Sequence, residues 1–401
     1  MVELELTLLS SSPNPSPQVV QVLNEFEEKY RIRVNPRNIH WTQAQSELLN
    51  YALLKDPPDV SDLGSTWLGG FIAMTALRPF SLAEIQEMGE DAFLPFVWNS
   101  GKTSSGEMYA IPWIVDLRSI YYRKDHFKAA GLGEVTSFSN IEDLKSAWKK
   151  LQDHGFPIPW AFTANANTLT VLHYLASWIW QSGGKFISGN GKQPLFNSGL
   201  AKEGMYQYFM EQLPYLAPQV RTMDDILLSD TFRQGNSSMI FSGFWVFNAI
   251  MHNADDLPIR ENLGIATLPM PSYVGGNNLV VWKDSRHSNE AVKLIQFLTS
   301  YATQLGLENN FAQLPARTDA LSDSLQATYP EFQSVIMQNL HNGRTFSAPY
   351  LWGVVETRLL QVVIGLWQEL FNNPKADIKQ LINHQMDALA KRLKLTLSAR
   401  G

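Results

Sequence analysis

Residues 3–34, ELELTLLSSSPNPSPQVVQVLNEFEEKYRIRV, decide the fold. Leu4, Leu6 and Leu8 alternate with Glu5 and Thr7, the period of two that a strand needs to present one apolar face. Ser10 to Pro17 breaks that period. Ser16 followed by Pro17 is the signature of an N-cap and a first-turn proline, because the serine oxygen can take a free backbone N–H and proline has none to lose. Val19, Leu23, Phe26 and Tyr30 then recur at helical spacing, and Ile32-Arg33-Val34 resumes a strand. A helix over Leu48–Leu54, stopped by Pro57-Pro58, and a short strand over Asp59–Leu63 extend the pattern to β-α-β-α-β.

Such alternation predicts a mainly parallel sheet flanked by helices, with ligands collecting at the carboxyl ends of its strands. The loops 10–14 and 64–67 lie at such ends. A second α/β region is expected from about Ile120 to Leu263, with helices over Ile141–Gln152, Thr168–Gln181 and Ala201–Leu213. Residues 264–271 and 279–283 read as strands. The last ~80 residues read as helical, with Ile378, Leu381, Ile382, Met386, Leu389 and Leu393 on one apolar stripe. A chain of 401 residues exceeds what one core usually serves, so two lobes are expected. There is no repeat and no low-complexity linker, which implies that the chain crosses between lobes more than once.

Composition excludes several functions. A net charge of −6, with lysines and arginines scattered, offers no field for nucleic acid. No cysteine is present, so disulfides, thiolate metal sites and a cysteine nucleophile are ruled out. Absence of thiols also leans towards an oxidising space outside the cell. The start, Met1-Val2-Glu3-Leu4-Glu5, has no basic and apolar leader, so either the protein is cytoplasmic or a leader is missing from this chain. Residues 156–184 carry no charge, but prolines and asparagines interrupt them, and they read as loop and buried helix instead of a membrane span.

Catalytic signatures are missing. No G-x-S-x-G run holds a serine on a strained turn. Residues 188–192, SGNGK, lack the leading glycine and trailing hydroxyl of a phosphate loop and read as a turn. The eight histidines, His40, His126, His154, His173, His252, His287, His341 and His384, show no metal-ligand spacing, so neither metal nor cofactor is expected. His173, on an apolar helix, reads as a satisfied core histidine. Paired carboxylates of a glycosidase can come from distant strands, so a two-lobed glycosidase or glycosyltransferase stays open as an alternative; Asp224-Asp225 and Asp255-Asp256 read as solvated. A cytoplasmic sensor is a third reading.

Aromatic residues are abundant, at 12 Trp, 13 Tyr and 21 Phe. Indole faces stack on the C–H faces of sugars while short polar groups take the hydroxyls, so tryptophan beside Asp, Asn and Arg is the composition a sugar cleft needs. Trp98, Trp148, Trp178, Trp180 and Trp367 sit in helical apolar patterns and read as core. Trp67, Trp245 and Trp352 each follow a Gly- or Pro-marked loop, where a side chain can face a cleft.

In order along nearly the whole chain come FEEKYRIRV, DPPDVSDLGSTWLGGF, GEMYAIPWIVDLRSIYYRKDHFKAAGL, FSNIEDLKSAWKKL, FRQGNSSMIFSGFWV, LGIATLPMP, GGNNLVVWKDSRHSNEAVKLIQFLTS and QLPARTDAL. These resemble the family 1 extracellular solute-binding proteins, sugar-capturing subunits of bacterial ABC importers. GEMYAIPWIVDLRSIYYRKDHFKAAGL is the most specific of them.

The resemblance implies a two-lobed periplasmic-binding-protein-like α/β fold: lobes of 1–114 with 264–316 and of 115–263 with 317–401, crossings near 113–116, 262–264 and 315–318, and a ligand cleft between the lobes that closes by hinge bending. It implies a monomer, periplasmic or anchored as a cell-surface lipoprotein, that hands a sugar to the importer's permease subunits. Asp116 and Arg118, in VDLR, resemble the pair that grips sugar hydroxyls. Trp245 resembles the stacking tryptophan before a helix, and Trp67 the aromatic of the N-terminal lobe. Asn277 and Asn278 occupy a ligand-facing loop. Trp41 and Ser11 complete the N-terminal set, and Arg344, Tyr350 and Trp352 in NGRTFSAPYLW match more loosely. The chain departs from the pattern in two places: Ser10-Ser11-Ser12 replaces a usual aromatic, and Asn278 a usual tryptophan, so fewer stacking platforms and a smaller or more hydroxyl-gripping pocket are expected.

Overall fold

Strand β1, Val2–Ser10, alternates buried and exposed side chains only as far as Leu6; from there Thr7, Leu8 and Leu9 are all buried. Both its faces are covered, as in a central parallel strand. The computed structural model describes residues 2–10, 12–103, 105–307 and 313–398. The remaining strands, in chain order, are β2 (Ile32–His40), β3 (Val60–Gly64), β4 (Ala110–Arg123), β5 (Ala161–Phe162), β6 (Met239–Gly243), β7 (Leu263–Ala266), β8 (Val274–Val281) and β9 (Leu314–Pro315).

Helix Pro17–Tyr30 begins as expected. The Ser16 side chain accepts from Val19 N at 3.2 Å, Pro17 opens the first turn, and Val19, Val22, Leu23 and Phe26 are buried. The next helix starts at Trp41, earlier than the apolar pattern predicts, because the His40 ring accepts the Thr42 N–H and caps it. Pro36 is tolerated within β2 because β2 is an edge strand with no partner needing that N–H.

The chain divides into two compact units. The first comprises Met1–Asp116, Gly275–Gln333 and Thr345–Gly353; the second comprises Leu117–Val274, Ser334–Arg344 and Val354–Gly401. In the first, β1 lies parallel to β2 (Ser10 opposite His40) and to β3 (Leu6 opposite Val60), and β8 runs antiparallel to β3 with Asn277 opposite Gly64. The start of β4 pairs antiparallel with β9. Leu9, Ile39, Leu48, Leu63, Phe71 and Trp282 pack one core of this unit.

In the second unit, the end of β4 runs antiparallel to both β6 and β7, and only β5 with β6 is parallel. Its sheet is therefore mixed, where alternation along the sequence predicts a mainly parallel one. Its core is aromatic: the Tyr174 ring stacks 4.3 Å from Phe241, and the Trp367 indole N–H donates to the Tyr208 hydroxyl at 3.1 Å. Trp148, Trp178 and Trp367 are fully buried. The closing helix, Ile378–Ser398, buries Ile378, Ile382, Met386, Leu389 and Leu393 along the expected stripe, with Leu381 at its margin. No described helix is long and apolar enough to cross a membrane.

Candidate functional site

In the second unit, candidate residues gather where β6 ends. Arg118 stands opposite Gly243, the last residue of β6, and Trp245 follows in the first turn of helix Phe244–His252. The buried Arg118 guanidinium lies over the Trp245 ring, 4.4 Å from its centroid, and 5.9 Å from the Tyr273 ring. Its Nη2 donates to His173 Nδ1 at 2.9 Å, and the His173 ring stacks on Tyr273 with centroids 3.8 Å apart and planes 5° apart. Burial, with Arg118 beside it, holds the His173 imidazole well below the usual histidine range. His173 is therefore neutral, and its bare Nδ1 is an acceptor that orients the guanidinium fork.

The backbone is fixed too. Arg118 N donates to Tyr273 O at 3.2 Å, and Asn339 Nδ2 donates to Arg118 O at 2.7 Å. Gly243 is a requirement of this packing: a Cβ there would sit 2.0 Å from the Trp245 ring and 2.5 Å from Arg118 Nη1. The arrangement presents a partly buried indole backed by an oriented cation. Such a surface suits a ligand with an apolar face and hydroxyl edges.

In the first unit, the carboxyl ends of β2 and β3 carry Trp41 and Trp67. Their rings meet edge to face, with centroids 6.3 Å apart. Trp41 is exposed and Trp67 partly so. The Trp67 ring lies flat against Gly64, where a Cβ would come within 3.3 Å of it. Gly69 abuts the backbone of Ala348 and Pro349, which seats the exposed Tyr350 on this unit.

Beneath this edge lies a group that sequence reasoning missed. Asp62 is 1% exposed; it accepts from Leu9 N at 3.2 Å, Trp113 Nε1 at 3.2 Å and Asn277 Nδ2 at 2.9 Å. Burial pushes its carboxyl up to about 7, against the pull of those donors. One signal was available: a charged residue in the middle of β3, a strand buried at every position.

The remaining expected site residues divide. Asn277 and Asn278 are buried, the first bonded to Asp62 and the second exchanging hydrogen bonds with Ser100 Oγ. Asp116, partly buried, is the last residue of β4 within the first unit. Arg344 has an exposed side chain, and its backbone bridges to Ser272 and Val274. Trp352 departs from expectation: at 1% exposure, with Phe346 packed 4.8 Å from it, the ring belongs to the core and leaves no face for a ligand. Ser11 lies outside the described residues. His173, read as a plain core residue, is also the partner that orients Arg118. No cluster of three or more metal-ligating side chains occurs among the described residues.

The sequence profile of bacterial extracellular solute-binding proteins matches residues 11–305. The diacetylchitobiose binding protein DasA of Streptomyces coelicolor is 22% identical over 333 residues, 78% of this chain and 73% of its own. A solute binding protein of an ABC transporter from Thermotoga lettingae, solved with alpha-D-tagatose, superposes with a TM-score of 0.82 at 19% identity, covering 98% of this chain and 100% of that one. Maltose-bound MalE3 of T. maritima gives 0.79 at 21% identity, covering 97% and 99%.

Proposed function

Because this chain belongs to the bacterial extracellular solute-binding proteins, we propose that it captures a small sugar or oligosaccharide reversibly and delivers it to the permease subunits of an ABC importer. The observation that carries this reading is the Arg118–Trp245 pair. A partly buried indole with an oriented guanidinium over its ring can stack a pyranose or furanose ring and donate to its hydroxyls. Asp116 supplies the complementary acceptor. In this reading Trp41, Trp67 and Tyr350 supply the stacking surface of the first unit, with Asn277 and Asn278 as its polar contacts. The exposed Arg344 is a rim contact.

Binding without chemistry suits the scaffold. The relatives' ligands, diacetylchitobiose, tagatose and maltose, support a carbohydrate here as well. The protein works as a monomer outside the cytoplasm, in the periplasm or anchored as a lipoprotein. The two compact units are its ligand-binding lobes in this reading, divided near 116, 274 and 333, with 345–353 returned to the first, where limits near 114, 263 and 316 were expected.

A thermal-shift screen against mono-, di- and trisaccharides, followed by recovery of each hit, tests this directly. A sugar that raises Tm and returns unchanged supports capture, since a ligand that prefers the native state stabilises it. Turnover of the sugar would replace the reading with the carbohydrate-active enzyme.

A further inference from the structure

Asp62 is buried among donors that cannot neutralise it. Its partners are the Leu9 N–H from β1, the Leu63 N–H from β3, the Trp113 indole from β4 and the Asn277 amide from β8, and all are uncharged. Titratable groups on the elements around it are few. Glu3 and Glu5 of β1 are exposed. Asp59, at the foot of β3, has its carboxylate taken by Glu5 N–H at 3.0 Å and by the Ser285 hydroxyl at 2.6 Å. β4 carries Asp116, Tyr121, Tyr122, Arg118, which is bonded to His173, and Arg123, which is paired with Asp125, and β8 carries none.

Ionised, Asp62 is fully hydrogen-bonded but desolvated. Neutral, it escapes the desolvation cost but must donate an O–H, and the Leu9 N–H and the indole cannot accept one. Only the Asn277 side chain can, by turning its amide so that Oδ1 replaces Nδ2. Asn277 stands opposite Gly64, the residue under the Trp67 ring, and the neighbouring Gly276 O accepts Ser65 N–H at 3.0 Å. The backbone on either side of Asn277 is therefore tied to the turn that carries Trp67.

We propose that Asp62 and Asn277 form a proton-operated amide switch beneath the Trp67 turn, in which protonating Asp62 rotates the Asn277 amide and ligand binding is coupled to that proton. The coupling to sugar rests on the function proposed above; the switch itself does not. A sugar covering Trp67 excludes water from the turn and favours the neutral carboxyl, so binding takes up a proton from solvent and tightens as pH falls from 8 to 6. A carboxyl poised near neutrality places the transition in that window.

The first test needs no ligand. In 1H–15N spectra of the full chain between pH 5.5 and 8.5, with Trp113→Phe assigning the indole signal, the Trp113 Nε1–H and Asn277 side-chain resonances shift together with one midpoint, and Asp62→Asn abolishes the shift. An invariant Trp113 signal overturns the switch. Should Asp62→Asn fail to fold, the carboxyl 13C titration of Asp62 in the wild-type protein decides the matter alone. The second test is calorimetry with maltose and maltotriose in phosphate and Tris buffers. The expected result is proton uptake and an affinity gain of about threefold from pH 8 to 6, equivalent to half a pKa unit between free and bound states. A pH-dependent Trp113 signal combined with failure of either sugar to bind would count against the sugar reading and leave the switch standing. Sugar binding of constant affinity across that range would break the coupling.

Discussion

The Arg118 guanidinium carbon lies 4.4 Å from the Trp245 ring centroid, close enough for the cation to bear on the indole face. The pair shares one strand end, because Arg118 is in register with Gly243 and Trp245 follows two residues later. Its geometry is held by His173 and Tyr273, so in the proposed function the surface needs little reorganisation to receive a ligand.

Trp245→Ala is expected to weaken binding of the sugar found by screening by about tenfold to a hundredfold, the worth of one stacked aromatic anchor, about 1.5–3 kcal/mol. Because the ring is only partly buried, Tm should move little. Calorimetry on the folded variant checks both; unchanged affinity would remove Trp245 from the site.

Arg118→Lys keeps the charge and loses the fork. A point ammonium cannot lie over the indole and donate to His173 Nδ1 in the geometry that the guanidinium adopts. Affinity should fall by about tenfold or more, comparable with one charge-assisted hydrogen bond. Retention of wild-type affinity would mean that charge alone suffices.

Gly243→Ala separates packing from chemistry. The added methyl would sit 2.0 Å from the Trp245 ring, so the indole must move although no ligand-contacting atom has been deleted. Binding should drop nearly as far as in Trp245→Ala, and tryptophan fluorescence should shift. A silent substitution would show that the indole has room to slide.

Single residues show which features of the fold are legible in the sequence. Ser16 and Pro17 announce their helix because capping is a local act, readable within four residues. His40 caps just as locally but lies outside the usual capping types, so the helix from Trp41 was expected seven residues late. For Asp62 only its place in a short strand was readable; its partners were not, because Trp113, Leu9 and Asn277 are 51, 53 and 215 residues away. Trp352 follows a proline-marked loop and reads as exposed; Phe346 then folds over it, a contact no periodicity announces. Trp245 came from its glycine-marked loop and from a resemblance, Arg118 from the resemblance alone, whereas the roles of Gly243, His173 and Tyr273 in holding them emerged only from packing.

Trp352 and Tyr350 offer a contrast two residues apart. Trp352→Ala removes a fully buried indole and should cost about 3–5 kcal/mol of stability. Tyr350→Ala, at a ring that is 40% exposed, should leave Tm nearly unchanged while weakening sugar binding. Denaturant unfolding of the two variants decides it, and equal losses of stability would place Tyr350 in the core as well.

Stability should respond to pH through two buried groups of opposite sign. His173 is held neutral in the fold, so below about pH 6.5 the unfolded chain binds a proton that the native one refuses, and stability falls with acidification by about 1.4 kcal/mol per pH unit while that difference lasts. Asp62 does the reverse. Its carboxyl rises from 3.8 to about 7 on folding, so between those values the native state holds the extra proton, and stability grows as pH falls through that window. The two contributions oppose each other between about pH 4 and 6.5. Asp62→Asn should therefore steepen the acid loss of Tm, and His173→Gln, which keeps an acceptor for Arg118 but cannot titrate, should flatten it. Thermal melts of both variants at pH 5, 6, 7 and 8 measure the slopes; parallel curves for variants and wild type would mean that neither group titrates in this range.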